Sequence, residues 1–373
     1  MKNGTAPSNP PAMTKDAPVR ATLEGTKRFA DRFAERFAPD FYRPTALDLT
    51  VSSIGLGTYL GESTDADDAA YIDSAQHAIA SGINLFDSAI NYRGQRSERA
   101  LCIALRRAME SGKVMRDELV VCTKGGYIPL DRITPATREE YQAYVRREFI
   151  ETQILHESEI VAGGHCLAPR FLRYCLAKSR QNLGLRTIDL YYLHNPEQQL
   201  ATVGADELYT RLEAAFALLE ESVDRGEIAA YGIATWDGLR AVPTQPGHLS
   251  LERVHEAARK VGGESHHLRA VQLPVNLAMA EAVRLPTQLV NGLAMTLLQA
   301  AAELGLTVVG SATLMQARLA SGLPPALRET FSTVDTDAQA AIAFARTIDG
   351  LGASLVGMRT VAHVDENLGA ARA

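Results

Sequence analysis

The sequence is poor in cysteine, with four in 373 residues, and has a single tryptophan. Cys102, Cys122, Cys166 and Cys175 form no Cys-x-x-Cys pair. That excludes a dense disulfide framework and predicts no metal site; the thiols read as reduced, in a cytoplasmic protein. No run of about 18 apolar residues is present, so no membrane-spanning helix is expected. Positive charge is not in excess either: 38 Lys and Arg face 44 Asp and Glu, for a net charge of −6. Such a chain has no general attraction for nucleic acid or an anionic membrane. The opening stretch MKNGTAPSNPPAMTKDAPVR lacks the apolar segment of a secretory signal. Its Pro, Ser, Asn and Lys predict a disordered tail over residues 1–25.

What is present begins with an aromatic stripe. Phe29, Phe33, Phe37 and Phe41 recur every four residues, interleaved with Arg28, Arg32 and Arg36. That spacing puts the phenylalanines on one helical face. It predicts a helical extension over 26–44, either packed on the domain surface or docking a partner.

From residue 50 a period sets in. Short β-branched segments are expected as strands at 53–58, 84–88, 119–124, 189–194, 229–235, 270–274, 307–311 and 354–357. Amphipathic helical patterns follow each of them. Strands this short, apolar on both faces and separated by helices, argue for parallel βα units. Eight of them predict a closed (β/α)8 TIM barrel over 45–373, because closure leaves no open edge. An open doubly wound sheet is the alternative. The turn Gly55-Leu56-Gly57-Thr58-Tyr59-Leu60-Gly61 lacks the Gly-x-Gly-x-x-Gly spacing that fold needs. After the third strand comes a long connection containing an insert at 127–168, with a helical piece predicted at 136–149. The insert holds His156, His165 and Cys166, too few neighbouring ligands to argue for a metal.

Active sites of such barrels form at the carboxyl ends of the strands. Strand two ends in Phe86-Asp87-Ser88 and runs on to Tyr92. Strand three ends in Thr123-Lys124-Gly125-Gly126 and strand four in Leu193-His194-Asn195. Neighbouring strands are about 4.8 Å apart, so these side chains can converge. Taken singly, each has an ordinary reading as a helix cap, a solvated lysine or a buried histidine. Together they suit carbonyl reduction. A phenol is a poor proton donor at neutral pH, and a nearby ammonium lowers its pKa. A carboxylate keeps the ammonium charged, and a histidine can orient a carbonyl by hydrogen bonding.

The stretches GINLFDSAINYRGQRSERALCIAL, LVVCTKGG, TIDLYYLHNPE, RGEIAAYGIATWDG and SLVGMRTVAHVDENLGA resemble the aldo-keto reductase family over roughly residues 45–371. The resemblance implies a (β/α)8 barrel holding NADP(H), or alternatively NAD(H), across its carboxyl face. It implies an NAD(P)H-dependent oxidoreductase of a small aldehyde or ketone, acting reversibly on the alcohol. Tyr92 would be the proton donor, tuned by Lys124 and Asp87, with His194 orienting the carbonyl. Gly57, Thr58, Asp87, Thr235, Gln272, Ser311 and Leu314 would lie along the nicotinamide half of the cofactor. Gly357, Met358, Arg359, Thr360, His363, Glu366 and Asn367 would surround the adenosine phosphate, helped by a helix N-terminus. Tyr59, Asn91, Tyr127, Asn195 and Trp236 would face the substrate.

The sequence departs from the family pattern in three places. A Ser-Asn pair that holds the carboxamide is replaced by Ala234-Thr235. The aromatic residue that stacks on the nicotinamide is replaced by Ser311. Two positions often basic near the 2′-phosphate read Gly357 and His363, which implies a weakened preference for NADP(H). A second function class follows from the same fold: a nucleotide-sensing regulatory barrel resembling the potassium-channel β subunits, with little turnover. The phenylalanine stripe and the altered nicotinamide contacts support it.

Overall fold

Eight parallel strands form a closed barrel in the computed structural model, which describes residues 19–372. They are β1 (Ile54–Gly57), β2 (Leu85–Asp87), β3 (Val120–Gly125), β4 (Ile188–His194), β5 (Ile228–Ala234), β6 (Leu268–Pro274), β7 (Thr307–Ser311) and β8 (Leu351–Gly357). Each pairs with the next in sequence, and β8 pairs with β1 to close the ring. Helices at 65–80, 96–110, 169–183, 205–224, 251–262, 297–303, 337–346 and 361–368 follow the strands. The predicted (β/α)8 barrel is therefore the observed one, and all eight predicted strands are present.

Alternation along the strands decides what fills the barrel. Leu85, Val120, Cys122, Leu190, Tyr192, Ala270 and Leu355 pack together inside. Their neighbours Phe86, Val121, Tyr191, Val271 and Val356 pack into the larger core shared with the helices. A period of two then makes Asp87, Lys124, His194 and Gln272 the next inward residues at the strand tops. Gly232 in β5 makes room for this filling. A Cβ there would sit 2.9 Å from the Tyr192 ring and 2.3 Å from the Ala270 carbonyl oxygen.

Residues 1–18, most of the predicted tail, lie outside the described residues. From residue 19 onward the chain is placed against the barrel, which differs from a tail reaching to 25. Ala21 N–H donates to the buried Asp189 carboxylate at 2.7 Å. Helix α1 (Leu23–Phe33) begins three residues before the predicted start and is capped by the Thr22 side chain. Phe29, Phe33, Phe37 and Phe41 are all buried. Arg28 and Arg32 pair with Asp117 and Glu118 at 2.5–2.9 Å. The stripe thus packs on this chain's own barrel, the first of its two predicted roles. The helix predicted over 26–44, however, stops early: α1 ends at Phe33 and one tight turn runs to Arg36. Phe37 is extended and bridges to Arg372 ahead of Pro39, so Phe37 and Phe41 are buried from non-helical backbone. An antiparallel hairpin, Tyr42–Pro44 with Thr50–Ser52, follows. Its Leu49 and Val51 join the inner cluster and close the barrel's amino-terminal mouth.

The insert carries its own apolar cluster. Ile128, Tyr144, Val145, Phe149, Leu155 and Cys166 pack on Ile90, Phe171 and Cys175. Its helical piece runs from Arg138 to Val145 and continues as a wider π-type turn to Ile150, one residue past the predicted end. All four cysteines are free thiols. Among the described residues no helix is long and apolar enough to cross a membrane, and no group of three potential ligands could hold a metal.

Phe29 is fully buried where α1 meets the barrel. Phe29→Ala is expected to destabilise the chain by about 3–5 kcal/mol in urea unfolding; a loosely attached helix would show almost no change.

Candidate active site

The carboxyl ends of the strands surround a cavity of about 340 Å³. Asp87, Tyr92 and His194 border it, as do all five residues assigned to the substrate: Tyr59, Asn91, Tyr127, Asn195 and Trp236. Lys124 stands behind this wall, 1% exposed. Register explains the grouping: Asp87 lies opposite Cys122, Lys124 opposite Tyr192, and Ala234 opposite both His194 and Gln272. Tyr92 arrives from the short loop after β2, where Ile90 N–H donates to the Lys124 carbonyl and Tyr92 N–H to that of Ala89.

The Lys124 ammonium donates to Asp87 Oδ1 and, at 2.9 Å, to the Ser88 carbonyl. Asp87 Oδ2 accepts from Gln272 Nε2 at 2.9 Å, so the carboxylate is held from both sides. Burial opposes the charge on Lys124, but Asp87 foremost and then Tyr92 outweigh it, and its pKa stands above the ordinary lysine value.

The Lys124 ammonium lies 5.1 Å from the centre of the Tyr92 ring. It pulls the phenol's pKa down as predicted, but burial outweighs that pull and the net direction is upward. Tyr92 is therefore a neutral phenol. Burial, with Lys124 and His165 adding to it, pushes the His194 imidazole well below its usual value. Its ring stands edge-on to Tyr92, 5.8 Å between centres. His194 Nδ1 is buried without a partner, which leaves Nε2 as the nitrogen turned to the cavity. The wall thus offers two neutral donors, a phenol and an imidazole, over a buried ion pair.

Three comparisons bear on this arrangement. The model of the Aldo/keto reductase family matches residues 53–243. The chain belongs to the aldo/keto reductase family. Among curated proteins it is 28% identical over 195 residues to an NADH-specific methylglyoxal reductase of Escherichia coli, covering 51% of this chain and 50% of that protein. It is 30% identical over 154 residues to a D-threo-aldose 1-dehydrogenase of Pseudomonas, covering 41% and 40%. The match thus spans at most half the length of these relatives. Among solved structures, a Klebsiella pneumoniae aldo/keto reductase in complex with NADP and acetate superposes with a TM-score of 0.58 at 18% identity, covering 88% of this chain and 89% of that one. A Bacillus halodurans aldo-keto reductase in its holo form gives 0.56 at 17%, covering 88% and 90%. At that identity the likeness is one of fold.

Within this family member, Gly57, Thr58, Thr235, Gln272, Ser311, Leu314 and Gly357 line the same cavity. Thr58 is engaged: its hydroxyl bonds the Asp87 carbonyl at 3.1 Å and Ser88 Oγ at 3.0 Å. Thr235 Oγ1 and Asn91 Oδ1 are buried polar atoms without partners, as a site built to receive a polar group requires. The outer set lies beyond the cavity. Met358 points into the core and is fully buried, and its carbonyl accepts from the Ser74 hydroxyl. Arg359 is held by Asp67 at 2.9 Å and is not a free cation. Thr360 caps the helix 361–368 by accepting from His363 N–H. His363 is exposed, Glu366 half-buried and Asn367 buried.

Several contributors have no place in the site as read from the sequence, where His165 enters only as a weak candidate metal ligand. Thr313, Gln316 and Ala317 line the cavity from a turn in which Ala312, Met315, Gln316 and Ala317 have positive φ without any glycine. Glu197 holds the wall residue Trp236, accepting its backbone N–H at 2.6 Å. His165 stands fully buried behind His194.

Burial lowers His165 to about 4 from 6.5, and His194 shifts the same way. The unfolded chain binds protons that these imidazoles refuse, so stability is complete above about pH 6.5 and is lost as pH falls toward 4. Urea midpoints are expected to drop over that interval and to drop less steeply in His165→Gln; an equal slope would contradict a buried neutral His165.

Proposed function

We propose that the chain is an NAD(P)H-dependent oxidoreductase that reduces a small aldehyde or ketone and reversibly oxidises the alcohol. The observation that carries this reading is the joint placement of Tyr92 and His194 on one cavity wall, with the buried Lys124–Asp87 pair behind them. A nicotinamide dinucleotide, when bound, supplies the hydride for the carbonyl carbon.

This chain's residues do the rest. The neutral His194 donates a hydrogen bond to the carbonyl oxygen and sets its orientation. Tyr92 passes its phenolic proton to that oxygen as negative charge develops there. The Lys124 ammonium, held charged by Asp87, stabilises the phenolate left behind. Thr235 and Gln272 would hold the carboxamide, with Gly57 and Thr58 beside it. Tyr59, Tyr127, Asn195 and Trp236 close the substrate side, a polar and aromatic wall suited to small carbonyls. The names of the matched relatives, a methylglyoxal reductase and an aldose dehydrogenase, point to the same substrate class. The reduced thiols fit a cytoplasmic setting. The insert belongs to the barrel domain, since its ends join β3 to the helix at 169–183.

The residues around Arg359 favour a weak choice between the two cofactors, because its guanidinium is already paired with Asp67. The regulatory alternative rested partly on the phenylalanine stripe, which is turned inward and offers no docking face.

The test is oxidation of NADPH and NADH at 340 nm with small aldehydes and ketones, in the intact chain and in Tyr92→Phe. Tyr92→Phe is expected to bind cofactor normally and to lose about 100-fold or more in turnover. Retained turnover would remove Tyr92 as the acid. Dissociation constants for the two cofactors are expected within about 100-fold of each other, less than 3 kcal/mol.

A further inference from the structure

The two ends of the insert meet at His194. Tyr127 and His165 form an antiparallel bridge, and Cys166 N–H donates to the Gly126 carbonyl at 2.7 Å. The Tyr127 ring stands edge-on to His165 and to His194, 5.0 Å from each. Asn195 Nδ2 donates to the Tyr127 hydroxyl at 3.0 Å. His165 Nε2 lies 2.8 Å from the His194 carbonyl oxygen.

The bond between His165 and His194 has one possible polarity. Arg211 can only donate, and it donates to Gln199 Oε1 at 2.7 Å. Gln199 then donates from Nε2 to His165 Nδ1, 3.1 Å away. His165 must carry its proton on Nε2 and give that hydrogen bond to the His194 carbonyl. Both His165 and Gln199 are fully buried, so no water competes for these bonds. Gly126 leaves the space this contact needs. Its φ is +141°, and a Cβ there would stand 3.0 Å from the His194 oxygen and 3.2 Å from His165 Nε2.

We propose that His165 is a positioning residue for His194, through which the insert sets how firmly the substrate carbonyl is held. This rests on the function proposed above. The backbone of His194 ends β4, and Asn195 turns away with φ at +49°. Without a bond to its carbonyl, the imidazole loses the anchor that fixes its direction into the cavity.

The experiment compares the intact chain with His165→Leu, His165→Gln and His165→Phe. Cofactor affinity is read from quenching of Trp236, and carbonyl turnover by steady-state kinetics. His165→Leu is expected to lower kcat by about 10- to 100-fold, the scale of a small misplacement, with cofactor affinity kept. His165→Gln, which presents an N–H at similar reach, restores most of it. Unchanged kcat in His165→Leu overturns the proposal. So does a parallel loss of cofactor affinity and rate that His165→Gln does not relieve. If His165→Leu does not fold, His165→Phe decides in the same way, since it keeps a ring in place without the N–H that the His194 carbonyl accepts.

Side-chain ¹⁵N spectra separate this proposal from the function it rests on. If the intact chain reduces no carbonyl, the proposed function fails, and the spectra still judge the anchor. His165 is expected as a single Nε2–H tautomer from about pH 5.5 to 8, the interval in which an ordinary histidine titrates. His194 is expected to shift in His165→Gln. A His165 that titrates in that range or samples both tautomers overturns the proposal.

Discussion

Lys124 carries its charge into the closed top of the barrel, and Asp87 is what allows it to remain there. A buried ammonium without a partner would give up its proton. With Asp87 against it, and Gln272 against the other oxygen of Asp87, the pair ties β2, β3 and β6 together at the cavity floor. Such a pair is costly to break, about 3–5 kcal/mol when one partner is removed, because the other charge is left stranded. The Tyr92 ring rests beside that charge.

Two effects compete at the phenol, and their balance defines the site. The ammonium favours the phenolate, while burial favours the neutral form, and burial is the larger. The same burial keeps His194 uncharged. A cavity wall with two neutral donors and one buried cation is suited to an oxygen that gains charge as it reacts. It binds that oxygen weakly before reaction and strongly as the charge develops.

Much of this was legible in the residues. The recurrence of short strands apolar on both faces, each followed by a helical pattern, was enough for the barrel, because only a closed parallel sheet covered by helices buries both faces of every strand. Asp87, Lys124 and His194 could be found because each is a polar residue at the carboxyl end of a strand. Contacts between distant segments were not legible. The engagement of Arg359 by Asp67 depends on how the helix at 65–80 lies against the end of β8. The left-handed turn at 312–317 has no glycine to betray it. His165 is separated from His194 by a helix and a strand, and only the folded insert brings its ring to that carbonyl. The stripe of phenylalanines announced a helix that holds only Phe29 and Phe33, and two roles fitted it until its burial showed that it covers the chain's own barrel.

The electrostatic balance at Tyr92 can be measured directly by a ¹³C-tyrosine NMR titration of the intact chain, with Tyr92→Phe to assign the resonance. Tyr92 is expected to stay neutral past the ordinary tyrosine value of 10.0, and Lys124→Met, which removes the ammonium favouring the phenolate, is expected to shift its ionisation to still higher pH. A Tyr92 that ionises below 10.0 in the intact chain would contradict that balance.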